Sequence, residues 1–195
     1  MKSYQLFAIA LCLLLSVTIL PRAHASISNQ ATKLTFSAPV EVPGMVLPAG
    51  TYWFSILPSP ATRNIVEIWN AHRTKAFAMI LTVPDERLQP TGKTVIRFAE
   101  RPHYSPQALH AWFYPGDNYG HEFVYPESQA RRIAKRTGQP VLAMRDDLAT
   151  NIKEPAHSAS DQSAQALNNA QVKAVEPSGQ EVNESAVVTP PNKKG

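Results

Sequence analysis

Leu47-Pro48-Ala49-Gly50-Thr51-Tyr52-Trp53-Phe54 decides the fold class of this 195-residue chain. Pro48 lacks an N–H and has a fixed φ, which suits the second position of a tight turn. Gly50 can adopt φ > 0 without a Cβ clash, so the pair is expected to break any helix and reverse the chain. Residues 51–57, Thr-Tyr-Trp-Phe-Ser-Ile-Leu, are aromatic and β-branched, as a pleated strand requires. Alternation places Tyr52, Phe54 and Ile56 on one face, the expected core face, and Trp53 on the other. Pro58 and Pro60 end the run, because neither can donate to a ladder.

Working outward, the same signal repeats. Residues 33–37 alternate apolar and polar, and Val40-Glu41-Val42 continues the pattern after Pro39. Residues 64–70, residues 75–83 (ended by Pro84) and residues 94–98 read as further strands, with Pro90-Thr91-Gly92 as a turn. Residues 109–114 and 121–125 are two short strand runs joined by Pro115-Gly116-Asp117-Asn118-Tyr119-Gly120. Short strands punctuated by Pro and Gly predict a mainly β fold, a small antiparallel sandwich or partly open barrel.

One helix is expected near the end of this domain. Pro126 suits its start, and Glu127 complements the positive end of its dipole. Ala130, Ile133, Ala134 and Thr137 recur at i, i+3, i+4 and i+7, and Gly138 supplies the stop. Pro140-Val141-Leu142-Ala143-Met144 reads as a last strand.

The ends differ from the body. Lys2 precedes an apolar run over residues 6–20, followed by the small-x-small triplet Ala23-His24-Ala25. This is the pattern of a secretory signal peptide cleaved after Ala25, so residues 1–25 are read as the signal peptide. The 15-residue run is shorter than the roughly 20 residues a membrane span needs. The single cysteine, Cys12, lies inside it. The mature chain therefore carries no thiol nucleophile, iron–sulfur ligand or Cys-rich zinc site, and its core must hold without disulfides. Residues 31–150 form one domain, and residues 151–195, without an aromatic residue, read as a disordered tail.

The chain has 19 Lys+Arg against 15 Asp+Glu; losing Lys2 and Arg22 leaves 17 against 15, a mature net charge of +2. That is too mild a balance for a nucleic-acid partner. No cofactor is expected, and after cleavage no segment is apolar enough to be transmembrane.

With these residues in place, the stretch over residues 32–70 resembles a family of short exported bacterial proteins of unknown function. Its features here are Thr32-x-x-x-Phe36-Ser37, the Leu47-Pro48-Ala49-Gly50-Thr51-Tyr52 hairpin, the hydrophobic strand Phe54 to Leu57, and the strand end Ile68 to Asn70. The resemblance covers about a third of the domain and implies export and a mainly β fold. It implies no activity, cofactor or catalytic residue.

Three constellations invite functional readings. Between His103 and Glu122, histidines and carboxylates gather with Tyr104, His110, Asp117 and His121. His110, His121 and Glu122 are the candidate metal ligands, and a metal-dependent hydrolase is the enzymatic alternative. His121-Glu122 does not continue to a second His, since position 125 is tyrosine, and an ordinary polar loop is the plainer explanation. Trp53, Trp112 and Tyr114 are the candidate ligand-binding aromatics, able to stack on a glycan, against the plainer alternative of core filling. Arg131, Arg132, Lys135 and Arg136 form a basic helix face that reads most simply as solvated. No nucleophile elbow, phosphate-cradling loop or Ser-x-x-Lys motif is present. The leading expectation is a non-enzymatic binding or structural module of the bacterial envelope, periplasmic or secreted, with an envelope glycan or protein as its partner.

Overall fold

The computed structural model describes residues 30–57, 64–99, 106–152 and 160–186. The expected signal peptide, together with His103, Tyr104, Pro58 and Pro60, lies outside the described residues. The body is mainly β, built from sandwich-like sheets that do not close into a barrel.

The larger sheet begins with β1 (Ala31–Phe36), β2 (Val40–Val42), β3 (Met45–Leu47) and β4 (Gly50–Leu57). It continues with β5 (Asn64–Asn70), β6 (Ala76–Glu86), β7 (Val95–Ala99), β8 (Gln107–Phe113) and β9 (Tyr119–Phe123). Their spatial order is β1-β4-β5-β6-β9-β8-β2-β3, with β7 on the other side of β8. All pairs are antiparallel except the short parallel contact of β2 with β8.

The sheet folds over its own inner face. Phe36 at one edge meets Phe98 on β7 at 6.4 Å, and Phe54 meets Trp112 at 6.2 Å and Phe123 at 6.5 Å. These edge-on aromatic contacts join the two layers of the sandwich. The core face expected for β4 is the one observed: Tyr52, Phe54 and Ile56 are buried with Val66, Ile68 and Ile80.

Two local expectations are corrected. Gly50 does not use its left-handed freedom, since it opens β4 opposite Phe36, and the positive φ of +79° falls at Gly44 between β2 and β3. Pro84 does not end its strand. Among the described residues the β5 ladder reaches no further than Thr82, and β6 runs on through Pro84 to Glu86 beside β9.

The expected helix is α1 (Glu127–Thr137), preceded by the short β10 (Tyr125–Pro126) and stopped by Gly138 at φ +70°. Its buried side is Ala130, Ile133 and Ala134, as the spacing predicts, plus Gln129. Gln129 Nε2 donates to Glu41 Oε1 (2.9 Å) and the Val42 carbonyl (3.0 Å), and its Oε1 accepts from the Gly44 N–H (2.8 Å). An amide fully used in this way loses little by burial.

The disordered tail is corrected over its described part. After β11 (Val141–Met144) and a short helix α2 (Ala149–Ile152), residues 160–186 carry α3 (Gln162–Asn168), β12 (Lys173–Val175) and β13 (Glu181–Asn183). β12 pairs antiparallel with β11 and β13, completing a second sheet, β10-β11-β12-β13. Ala164, Leu167, Ala170, Ala174 and Val175 are buried. α3 lies on β5 and β6, covering the outer side of the large sheet at Ser55, Ile65, Glu67, Met79 and Leu81, which are all buried. The weak apolar cluster in this segment suffices because a preformed sheet face supplies the rest of the apolar area.

Candidate functional site

The outer face of the large sheet carries two groups of chemistry-bearing side chains, one in the β4–β5 region and one in the β6–β9 region. The register decides which residues share it. Trp53 pairs with Trp69, Ser55 with Glu67, Glu67 with Met79, Ile65 with Leu81, and Val83 with Glu122. Directly paired residues point the same way, so Trp53, Trp69, Asp85 and Glu122 all lie on the outer face.

Glu122, on β9, lies opposite Ala111 and Val83. Asp85 is two residues beyond Val83 and so faces the same side. His110 would point inward by strict alternation with Ala111, but β8 bulges there. Arg97 pairs with Ala111 and Phe98 with Leu109, which leaves His110 as the extra residue. The bulge turns its ring toward Glu122. His110 Nδ1 lies 3.7 Å from Glu122 Oε1, and one ligand atom from each of Asp85, His110 and Glu122 falls within 4.8 Å of the others.

The surroundings of this cluster are specific. Arg97 Nη1 holds Asp85 Oδ2 at 3.1 Å, and Asp85 Oδ1 accepts from the Glu86 N–H at 2.7 Å. Glu122 accepts no hydrogen bond from any described residue, and its carboxyl group is largely buried. Burial, with Asp85 adding like charge, pushes Glu122 up to about 7. Burial, with the Arg97 charge adding to it, pulls His110 below its ordinary value. At neutral pH the imidazole is thus neutral, with a lone pair to offer.

Sequence reasoning named His110, His121 and Glu122 as the metal set. The structure unites His110 and Glu122, replaces His121 by Asp85, and turns His121 inward. His121 is buried against Trp112 at 5.4 Å between ring centres. Its Nε2 lies 3.3 Å from Gln30 Oε1 and its Nδ1 3.4 Å from Thr82 Oγ1. Gln30 Nε2 donates to Asp117 Oδ2 at 2.5 Å, which orients its amide oxygen toward the ring. His121 Nε2–H is therefore the donor, and Nδ1 accepts from Thr82. Burial lowers His121 to about 4, consistent with a neutral core histidine. The clue was available in sequence: consecutive residues of one strand face opposite ways, so His121 and Glu122 could not both serve one site. Asp85 is not legible from the sequence, because Pro84 marks a strand end there and β6 in fact continues to Glu86.

Of the candidate aromatics, Trp112 is fully buried and fills the core, so it cannot stack on a ligand. Tyr114 is half-buried and packed against the core at the end of β8. Trp53 is half-buried on the outer face, as alternation predicts, and its cross-strand neighbour Trp69 is half-buried as well. Arg73 lies over the Trp53 ring at 5.3 Å, and Trp53 Nε1 donates to the Ala71 carbonyl at 3.2 Å. Exposed Lys33 pairs with Trp53 from β1, and Thr35 and Thr51 share a hydroxyl hydrogen bond of 2.9 Å next to it.

Two of the four cations of the basic helix face are engaged within the chain, while Lys135 and Arg136 are exposed. Arg131 binds Glu127 at 2.6 Å, Glu181 at 2.5 Å and the Gly179 carbonyl, tying α1 to β13. Arg132 reaches Glu41 at 3.6 Å. Among the described residues no helix is long and apolar enough to cross a membrane. Comparison of the chain with family models, curated proteins and solved structures returned no match.

Proposed function

We propose that this chain is an exported, non-enzymatic binding module of the bacterial envelope whose ligand is a glycan held on the Trp53–Trp69 surface. The apolar run over residues 6–20 and the Ala23-His24-Ala25 triplet support export. The observation that carries the binding reading is the cross-strand tryptophan pair, half-exposed on an outer sheet face with Arg73, Lys33, Thr35 and Thr51 around it. Indole faces stack on the C–H faces of sugar rings, and the surrounding donors suit hydroxyls or acidic sugar substituents. The test is a glycan array and co-sedimentation with insoluble cell-wall polysaccharide, comparing wild type with Trp53→Ala. Binding reduced at least tenfold in the variant, at unchanged circular dichroism, is the expected result. A folded wild-type protein that retains no glycan sinks the sugar reading and leaves a protein partner.

A second reading, a metal-dependent hydrolase, is favoured by the cluster on β6, β8 and β9. Under it the metal would be held by Asp85, His110 and Glu122 rather than by loop residues near His103. Zinc-dependent turnover of ester or peptide substrates, abolished by Glu122→Gln, would replace the leading reading.

A further inference from the structure

We propose that Asp85, His110 and Glu122 bind one divalent transition-metal ion of the zinc type on the outer face of the large sheet. The inference stands independently of the glycan surface, which lies in the β4–β5 region of the same face.

Three observations converge. The first is spacing. Ligands bonded at about 2.0–2.2 Å to a common tetrahedral ion lie roughly 3.3–3.6 Å apart. His110 Nδ1 and Glu122 Oε1 are 3.7 Å apart, too far for a hydrogen bond, and the three ligand atoms fit within 4.8 Å. Small rotations of side chains then close the set on an ion.

The second is unmet demand. Glu122 is a largely buried carboxylate that accepts no hydrogen bond from any described residue, in the middle of a sheet. The nearby cation, Arg97, is bound to Asp85 instead. Burying a carboxylate without a partner is costly, and a dication in the gap would supply the counter-charge that Glu122 lacks.

The third is construction. His110 reaches this face only because β8 spends an extra residue there, and bulges serve to re-aim side chains. Asp85 is oriented by Arg97 Nη1 and the Glu86 N–H, the kind of outer hydrogen bonding that steadies a ligating carboxylate. One imidazole and two carboxylates favour zinc, cobalt or nickel over calcium, which takes six to eight oxygens. With three protein donors the ion would keep an open coordination position.

The experiment uses the full chain, stripped with chelator and titrated with Zn²⁺ alone against a fluorescent zinc indicator. Wild type is expected to bind one ion per chain, with a rise in melting temperature on zinc addition. Glu122→Gln and His110→Gln should each weaken binding at least tenfold and remove that rise, while His72→Ala, at an exposed turn, retains both. Cobalt substitution should give the intense visible bands of a four- or five-coordinate ion in wild type and lose them in the two variants. Unchanged stoichiometry and affinity in either ligand variant overturns the site, as does wild type that takes up no zinc at tens of micromolar. Melting curves without metal show whether a variant is folded. Should Glu122→Gln fail to fold, His110→Gln, on the partly exposed bulge, decides.

Discussion

Replacing Gly120 by alanine tests the packing of β8 on β9 where it is most sensitive. A Cβ at this position would lie 2.5 Å from Phe113 Cδ1, 2.6 Å from Cε1 and 2.8 Å from Cγ. Carbon atoms pack at about 3.5–4.0 Å, so the ring must retreat by about 1 Å. It has little room to do so. Phe113 is fully buried, is the direct cross-strand partner of Gly120, and lies under the Arg87 guanidinium at 4.9 Å. Arg87 is itself held to the Asp117 carbonyl through Nε at 3.0 Å and Nη2 at 2.7 Å. Overpacking of this kind costs about 1–3 kcal/mol, and displacing the cation from the ring adds about 0.5–1 kcal/mol. The expected loss for Gly120→Ala is therefore about 1.5–4 kcal/mol, read as a lower urea midpoint at unchanged m-value. Phe113→Leu supplies the control, because the smaller side chain makes room for the methyl. In Gly120→Ala/Phe113→Leu the alanine should cost almost nothing, a coupling of about 2 kcal/mol. A Gly120→Ala protein within about 0.5 kcal/mol of wild type, or costs that simply add, would refute the described packing.

Leu167→Ala tests the correction of the tail: this side chain is fully buried in α3, so the substitution should cost about 2–5 kcal/mol in urea unfolding, whereas a disordered tail would leave stability unchanged. His121 gives an acid sensitivity. Its folded pKa of about 4 lies below the ordinary 6.5, so the unfolded chain binds more protons, and its contribution is complete above 6.5 and lost as pH falls toward 4. The stability of wild type relative to His121→Gln should shrink by about 2–3 kcal/mol between pH 7.5 and 4.5, and a difference independent of pH would show the ring to be solvated. The comparison with the variant removes the opposite contribution of Glu122, whose raised pKa favours the folded state as pH falls from 7.

Much of the fold was legible because its signals are local. Alternation over residues 51–57 placed Tyr52, Phe54 and Ile56 on the core face and Trp53 outside, and the structure agrees at each position. The i, i+3, i+4 stripe and Gly138 marked α1 with its buried face and its stop. Trp112 was harder, since alternation shows which residues share a face but not which face a second layer will cover. The segment from Gln162 onward failed for a related reason. Its small apolar residues form no face strong enough to be read alone, and their burial depends on the surface of β5 and β6 already being there.

The candidate site shows the same division. Sequence alone determined that His110 and Glu122 stand on successive strands of a hairpin, and that Trp53 faces away from the core. These follow from dihedral preferences and from a repeat of two residues along each strand. Alternation already separates His121 from Glu122, but only the tertiary structure decided that Asp85 joins the pair and that Trp69 rather than Trp112 accompanies Trp53. Each of those outcomes is set by register between strands distant in sequence, by a bulge at His110, and by which sheet face the C-terminal layer covers. Register is fixed by the summed burial of whole strands, and no single local stretch encodes it.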